Sequence, residues 1–367
     1  MASEKQMQKA GDNSNQLQIA NATFVCGVDE KRVREVCNEI AVEAIKTCTA
    51  EATEKAIERI EKFTTTLIPR IERIEHDFRS FSDPAFQFLL QSSQKTAACT
   101  DREADYELLS ELLVHRIEKG HERKNKASIA KAVEIVDQID DDALCALSVA
   151  YSIRNFVPLT GNISQGLSEL NNLFESLCYR ELPNDSEWVF HLDILDAVRM
   201  SSFGSFKKLE DFYPDNIEGY VSVGIEKGSE NYTKAINILS EEKLPFNLLV
   251  DNELLKGFVR LNIRSKDSID DTVFISMNGY PGSTRNLNRN EIQALNSVWE
   301  LYSKDTTQME LVKKTFVQKW DEFPALNKVR AWWNLIPNSF TITPIGNVLA
   351  HANAKRCHKG VPDIQNR

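Results

Sequence analysis

Residues 57–78 read IERIEKFTTTLIPRIERIEHDF, and this stretch decides the architecture that we expect for the N-terminal part of the chain. Its apolar positions recur at alternating steps of three and four residues, which is the heptad spacing of a coiled-coil seam with charged residues between the seam positions. Pro69 lies inside the run. Because proline removes a helical hydrogen bond and clashes with the preceding turn, we expect two helices, at about residues 29–68 and 69–80.

The seam predicts association between subunits. The residues that we expect to form the contact are Ile57, Ile60, Leu67, Ile71, Ile74 and Phe78. A polar leader at residues 1–18 precedes them and runs into strand-like residues, and a short strand has to pair with another part of the chain or with a neighbouring subunit. We therefore predict a coiled-coil homo-oligomer. The alternative is that this helical segment packs against a bundle formed by residues 84–200 of its own chain.

Residues 81–200 carry start and stop signals for about six helices. The helices are predicted at 84–98, 101–119, 128–139, 140–157, 164–182 and 184–200. After residue 200 the pattern becomes mixed, with helices at 205–212 and 230–241 and alternating, strand-like stretches at 219–225, 246–250, 257–263 and 272–277. Helical signals then return at 288–303, 307–320, 324–333 and 343–354.

The predicted fold is therefore α+β and predominantly α-helical, in four parts. Residues 1–80 are predicted to be a strand-like leader with an oligomerising helix, and residues 81–200 a helical bundle. Residues 201–285 are predicted to form a small α+β module, and residues 286–367 a helical C-terminal module.

Composition indicates a folded protein that does not cross a membrane. The net charge is −10, which argues against a surface that grips nucleic acid as a whole, but residues 300–367 hold 10 Lys and Arg against 6 Asp and Glu. The seven cysteines are scattered and form no C-x-x-C pair, as expected in a reducing cytoplasm. The polar N-terminus predicts no export signal.

The sequence predicts no catalytic, cofactor-binding or metal-binding residue and no cofactor, because it contains none of the standard nucleotide-binding, hydrolase or zinc-protease motifs. Two loose groups of metal-ligand residues have unsuitable spacing: His115, Glu118 and His121, and then His351, Cys357 and His358. The run of three aspartates at 140–142 is interpreted as a helix cap rather than a cation site.

Two further features of the sequence could contact a ligand, one an anion and the other a nucleic-acid base. The glycine-bearing loop at 278–285 ends in Arg285, which could contact an anion, although such a loop is typical of a connecting turn. Trp332 and Trp333 could stack on bases, although adjacent tryptophans more often lie in a core.

Two blocks carry a resemblance to known proteins. Residues 11–18, GDNSNQLQ, resemble the G-D-N-S-x-Q-x-Q leaders of a group of uncharacterised bacterial cytoplasmic proteins, some of which are suspected of roles in phage defence. Residues 340–356, FTITPIGNVLAHANAKR, are similar to the ending of that group. They also resemble the L-T-x-x-G-x-x-L-A segment that follows the wing of winged-helix DNA-binding proteins, although residues 339–343 leave room for only one short strand.

Taken together, these features lead us to expect an oligomeric cytoplasmic interaction or regulatory protein without catalysis of its own, in a setting such as bacterial stress or phage defence. The first alternative is a winged-helix-type nucleic-acid binder that uses Lys355, Arg356 and Lys359. The second is a phosphate-processing enzyme that lacks a standard motif and uses Arg285. The expected partners are a second copy of the chain and an unidentified protein, with nucleic acid through the basic C-terminus and no membrane.

Overall fold

The computed structural model describes residues 29–46, 48–119, 122–201, 204–270, 273–275 and 284–362. Three predictions lie outside these residues: the leader with its strand-like continuation, the position of His121, and the loop at 278–283. The structure is 67% helical, with small antiparallel sheets beside the helices, so the predominantly α-helical α+β prediction is confirmed.

The described helices lie between residues 30 and 357. They are α1 (Glu30–Ile45), α2 (Ala50–Ile74), α3 (Pro84–Cys99), α4 (Glu103–Lys119), α5 (Arg123–Glu134), α6 (Asp141–Asn155), α7 (Ile163–Leu177), α8 (Glu187–Ile194), α9 (Leu209–Asn216), α10 (Glu218–Val221), α11 (Glu230–Glu241), α12 (Arg289–Trp299), α13 (Thr306–Asp321), α14 (Pro324–Leu335) and α15 (Pro344–Cys357). Helix α12 begins with a capping box formed by Asn288 and Glu291.

Seven short strands form three antiparallel sheets among the described residues. The strands are β1 (Val198–Met200), β2 (Ile225–Glu226), β3 (Leu249–Asp251), β4 (Phe258–Leu261), β5 (Val273–Ile275), β6 (Thr284–Asn286) and β7 (Phe340–Ile342). β1 pairs with β7, β4 lies between β2 and β3, and β5 pairs with β6. In the first sheet Val198 lies opposite Ile342.

Helix α15 runs through the middle of the helical part and packs against α4, α5 and α6. Thr343 caps its first turn by accepting from the Gly346 amide, and Pro344 occupies the first helical position. Residues 349–354 are buried one after another, on every side of the helix. A helix that is buried all round belongs to the centre of a core, so the C-terminal helix is central to the helical fold.

The predicted division at Pro69 is wrong, because the first long helix breaks earlier. α1 ends at Ile45, Thr49 is the N-cap of α2, and α2 then continues through Pro69 to Ile74. The Thr49 backbone is extended, which ends the preceding turn, although its side chain makes no capping hydrogen bond. The hydrogen bond that Pro69 cannot make would have gone to the carbonyl of Thr65, and Thr65 is exposed, so water can satisfy that carbonyl.

A second, smaller core lies at residues 225–302 and joins β2, β4, α11 and α12. It is anchored to the helical part by Glu253, whose carboxylate accepts from the backbone amides of Ile163 (2.9 Å) and Ser164 (3.2 Å) at the start of α7. Lys319 of α13 pairs with the same carboxylate at 3.0 Å. A carboxylate at a helix N-terminus is stabilising. Glu253 thereby links the second core to both α7 and α13. The four-part division of the chain stays a prediction.

Several stretches differ from their predicted secondary structure. The predicted strand at 246–250 begins with a 3-10 helix at Phe246–Leu248 before β3. Residues 219–225 alternate like a strand, but Glu218–Val221 is helical and only Ile225 enters β2. Tyr220 is buried, and its hydroxyl donates to the Thr160 carbonyl at 2.8 Å, so tertiary packing rather than strand pairing explains the alternation. The helix predicted at 184–200 ends at Ile194, because β1 pairs with β7 from the other end of the chain.

Candidate functional site

The candidate functional site is a set of polar side chains buried where α15 meets α4 and α6. His351 and Asn353 project from α15, and His115 of α4 and Ser148 of α6 face them, all of them buried. Burying a polar group costs free energy unless it is hydrogen-bonded. A buried polar cluster in an otherwise apolar helical core is therefore the feature that most needs an explanation.

The two histidines form a hydrogen-bonded pair. Nδ1 of His351 lies 3.0 Å from Nε2 of His115, and Nε2 of His351 lies 2.8 Å from the carbonyl oxygen of Pro362. A carbonyl only accepts, so Nε2 of His351 carries a proton. In neutral His351, Nδ1 is then the acceptor, and Nε2 of His115 donates to it. This assignment leaves Nδ1 of His115 as the bare nitrogen of the pair.

That bare nitrogen is buried and has no hydrogen-bond partner among the described residues. Burial, followed by the neighbouring His351 and Lys355, holds the pKa of His115 well below its ordinary value. The ring of Tyr151 meets the ring of His351 edge-on, with 6.0 Å between the centroids. Burial thus disfavours the charged form of His115, and the bare nitrogen of its ring lies inside the core.

The rest of the cluster is well satisfied. Asn353 donates through Nδ2 to Oγ of Ser148 at 2.8 Å and accepts at Oδ1 from Nε of Arg356 at 2.9 Å. The Arg356 guanidinium also lies 3.6 Å from the Glu107 carboxylate and 5.2 Å from the centre of the Tyr179 ring. Arg356 therefore spans from the buried amide to the protein surface.

These contacts bear on the three residues predicted to touch nucleic acid. Lys355 lies 3.8 Å from Glu118, and the Arg356 side chain is only 14% exposed beside Glu107, so both cations already face carboxylates of α4. Lys359 is exposed. The described residues hold no hairpin before α15, because β7 pairs with β1. Nucleic-acid binding at this end stays a prediction that the arrangement of charges does not favour.

The six predicted assembly residues divide into two groups. Ile60, Leu67, Ile71 and Phe78 are buried within their own chain, where α2 packs against α3 and α4. Ile57 and Ile74 are each 42% exposed. Association between subunits stays a prediction, and of the six only Ile57 and Ile74 retain substantial surface for it.

The remaining predicted features have local structural partners. Arg285 donates to the Glu291 carboxylate at 2.8 and 2.5 Å, and Asp140 caps α6 by accepting from the amides of Asp142 and Ala143. Trp332 and Trp333 are buried, which confirms that they lie in a core. Within the described ranges no group of three or more His, Cys, Asp or Glu side chains is placed to hold a metal ion, and no helix is long and apolar enough to cross a membrane.

A solvent-open groove of about 530 Å³ lies between α2 and α4. It is lined by Glu58, Glu61, Lys62, Thr65, Thr66, Glu103, Tyr106 and Glu107. Four carboxylates and one lysine line this groove, so its electrostatic potential is negative. A negative potential disfavours the binding of a polyanion such as nucleic acid.

Local spacing in the sequence does not reveal the histidine pair. His115 and His351 are 236 positions apart, so neither is a sequence neighbour of the other. A usable signal did exist: residues 348–354, VLAHANA, place two polar side chains in a run that is otherwise apolar on all helical faces. Such a run predicts that the polar side chains are buried and need partners.

Comparison with known proteins gives one match. A protein-family model, described as “:-like”, matches residues 27–365 and so leaves out the whole leader at residues 1–18. It supports neither the leader resemblance nor the winged-helix resemblance. No curated protein and no solved structure matches the chain. Since the matched segment spans most of the chain, the protein belongs to this uncharacterised family.

Proposed function

We propose that this protein is a homo-oligomeric cytoplasmic interaction or regulatory protein without catalysis of its own, and that it assembles through α1 and α2. The observation that carries the proposal is that both helices expose aliphatic side chains to solvent. Val42 is 67% exposed, and Ile57 and Ile74 are each 42% exposed, although α1 and α2 bury their other apolar faces in the chain's own core.

The size of this surface fits a modest self-association. Full burial of a Val or Ile side chain contributes about 1.5–3 kcal/mol, so burying the exposed parts of these three contributes roughly 3 kcal/mol per protomer. A symmetric contact doubles that contribution, because each copy offers the same surface to the other. Since association costs at least about 4 kcal/mol in lost freedom of motion, the three side chains leave about 2 kcal/mol, whereas a micromolar oligomer needs about 8 kcal/mol. The micromolar oligomer that we expect therefore depends on polar contacts around the apolar centre for most of its stability.

The cysteines support the proposed cytoplasmic setting. The six cysteines within the described residues are all free thiols, and Cys37 and Cys145 are buried. Burial raises the pKa of each of these two thiols to about 12. Free, protonated thiols in a core suit a reducing compartment.

The proposal is tested by adding charge to the surface. In the double variant Ile57→Glu and Ile74→Glu, each subunit would bring two carboxylates into the contact, so we expect the oligomer to dissociate at least tenfold more readily in sedimentation velocity. Ile194→Glu is the matched control, because Ile194 is an aliphatic residue that is 80% exposed on α8, away from α1 and α2. Equal dissociation in the double variant and the control would contradict assembly through α1 and α2.

A further inference from the structure

The connection between α1 and α2 lies beside the C-terminal end of α3. Ile45, the last residue of α1, packs with Ala56 and Ile60 of α2 in a small apolar cluster, and Ala98 of α3 packs against that cluster. Arg59 of α2 also donates to the Ala98 carbonyl at 2.9 Å. Apolar packing and a hydrogen bond therefore fix the end of α3 next to the residues that flank the α1–α2 connection.

Two exposed cysteines lie at this junction, one on each side of it. Cys48 belongs to the connection, where its amide donates to the Ile45 carbonyl at 2.9 Å, and Cys99 is the last residue of α3, directly after Ala98. Cys48 is close enough for its charge to act on that of Cys99. Because salt screens the interaction of exposed charges beyond about 8–10 Å, the two thiols are neighbours, although about 50 sequence positions separate them.

The other cysteines within the described residues are less accessible. Cys37 and Cys145 are buried, and Cys178 and Cys357 are half-buried. Burial raises the pKa of all four thiols. Buried, protonated thiols react slowly with a reagent in solvent. The two exposed thiols are therefore the ones that such a reagent reaches first, and they are also neighbours.

The surroundings of Cys99 determine the order in which the two thiols react. Packing around its sulfur raises the pKa of Cys99, Asp137 and Cys48 act in the same direction, and Arg59 opposes them. Near neutral pH Cys99 is thus mainly the neutral thiol, which is not the reacting form. We therefore assign the first attack to Cys48. Cys99 then closes the bridge in an intramolecular step, which proximity accelerates.

We propose that Cys48 and Cys99 form a reversible disulfide when the protein meets a small-molecule disulfide such as oxidised glutathione. The Cys48 thiolate attacks one sulfur of oxidised glutathione, forms a mixed disulfide and expels one glutathione thiolate. The Cys99 thiolate then attacks the Cys48 sulfur and expels the second glutathione. The two protein thiols lose two protons and two electrons in all, and the oxidant takes them up as two glutathione thiols.

The bridge joins the α1–α2 connection covalently to α3. Cys48 lies between two helices and Cys99 at the end of one, so any backbone adjustment towards the usual Cα spacing of about 4.4–6.8 Å leaves the helix interiors intact. The bridge closes a loop of about 50 residues that contains all of α2, and it thereby restricts the unfolded chain. Oxidation thus fastens α2 to α3, and this effect does not depend on assembly between subunits.

Peptide mapping of the full chain tests the pair. The reduced protein is incubated with excess oxidised glutathione, its remaining thiols are blocked, and it is digested with trypsin without reductant. Trypsin places Cys48 in a peptide of residues 47–55 and Cys99 in one of residues 96–102. We expect these two peptides to be joined at least about tenfold more often than any other pair of cysteine peptides, because proximity raises the effective concentration of one thiol at the other. Dithiothreitol should separate them.

Three single variants provide the controls. Cys48→Ser and Cys99→Ser replace exposed side chains, and each should abolish the joined peptide. Cys178→Ser removes a half-buried thiol away from the junction and should leave its yield unchanged. The proposal is overturned if the joined peptide of the folded protein is no more abundant than other pairings. It is equally overturned if the Cys48–Cys99 bridge links two copies of the chain, which a gel without reductant reveals as a covalent dimer.

Discussion

Replacing Arg356 by alanine distinguishes a structural role of the basic C-terminus from nucleic-acid contact. The substitution removes the donor to Oδ1 of Asn353, which is buried, and the cation beside Glu107 and the Tyr179 ring. A hydrogen bond to a charged group contributes about 1.5–3 kcal/mol. The contact with the aromatic ring adds about 0.5–1 kcal/mol, and the partly exposed ion pair adds about 0.5 kcal/mol.

These contributions overlap, because all of them depend on one guanidinium. We therefore expect Arg356→Ala to lower the free energy of unfolding by about 2–4 kcal/mol, measured by urea denaturation with circular dichroism. Lys359→Ala is the matched control, since Lys359 is exposed, and it should change stability by less than about 0.5 kcal/mol. If the two variants are equally stable, Arg356 does not support the buried cluster. Salt-sensitive DNA binding that either variant weakens would instead favour the nucleic-acid alternative.

Two further substitutions test how the helices are joined. Arg102→Ala removes hydrogen bonds to the buried Asp105 carboxylate (2.9 Å), to Asp141 (2.9 Å) and to two carbonyls before α6, and breaking such a buried pair should cost about 3–5 kcal/mol. The surface control Arg32→Ala, which also removes two ion pairs, should lower the free energy of unfolding much less, because exposed pairs are screened by solvent, and equal losses in urea denaturation would refute this reasoning. Burial raises the pKa of Glu253, but hydrogen bonds from Ser164 and Lys319 outweigh burial and leave the pKa lowered. The stabilisation that the ionised Glu253 carboxylate contributes is therefore present above its unfolded-state pKa of about 4.3. It is lost as the pH falls through the lower pKa of the folded state. Glu253→Gln should accordingly be less stable than the unmodified chain at pH 7 and equally stable near pH 3, and a difference that persists near pH 3 would contradict this assignment.

Local signals in the sequence predicted most helices, because their causes lie within a few residues. Asp83 before Pro84, Asp140 before α6 and Asn288 with Glu291 are caps whose side chains bond to amides two or three positions away. The central position of α15 was not predicted, although its run of small apolar residues indicated burial on all sides.

Features that depend on distant pairing were missed. The β1–β7 sheet joins segments more than 130 positions apart, and neither strand is long enough to be recognised by alternation. Periodicity detected the apolar seam of α2, but it does not identify the surface that covers a seam. The chain's own α3 and α4 cover most of it. The histidine pair was missed for the same reason, since no local spacing relates α4 to α15.

The most direct test of the proposed assembly is the solution mass of the unmodified full chain, measured by light scattering at concentrations from about 1 to 100 μM, the range that spans the expected micromolar association. We predict that the mass rises with concentration towards a whole-number multiple of the 41.7 kDa protomer. A mass that stays at 41.7 kDa throughout would contradict the account, and the exposed residues of α1 and α2 would then be ordinary surface.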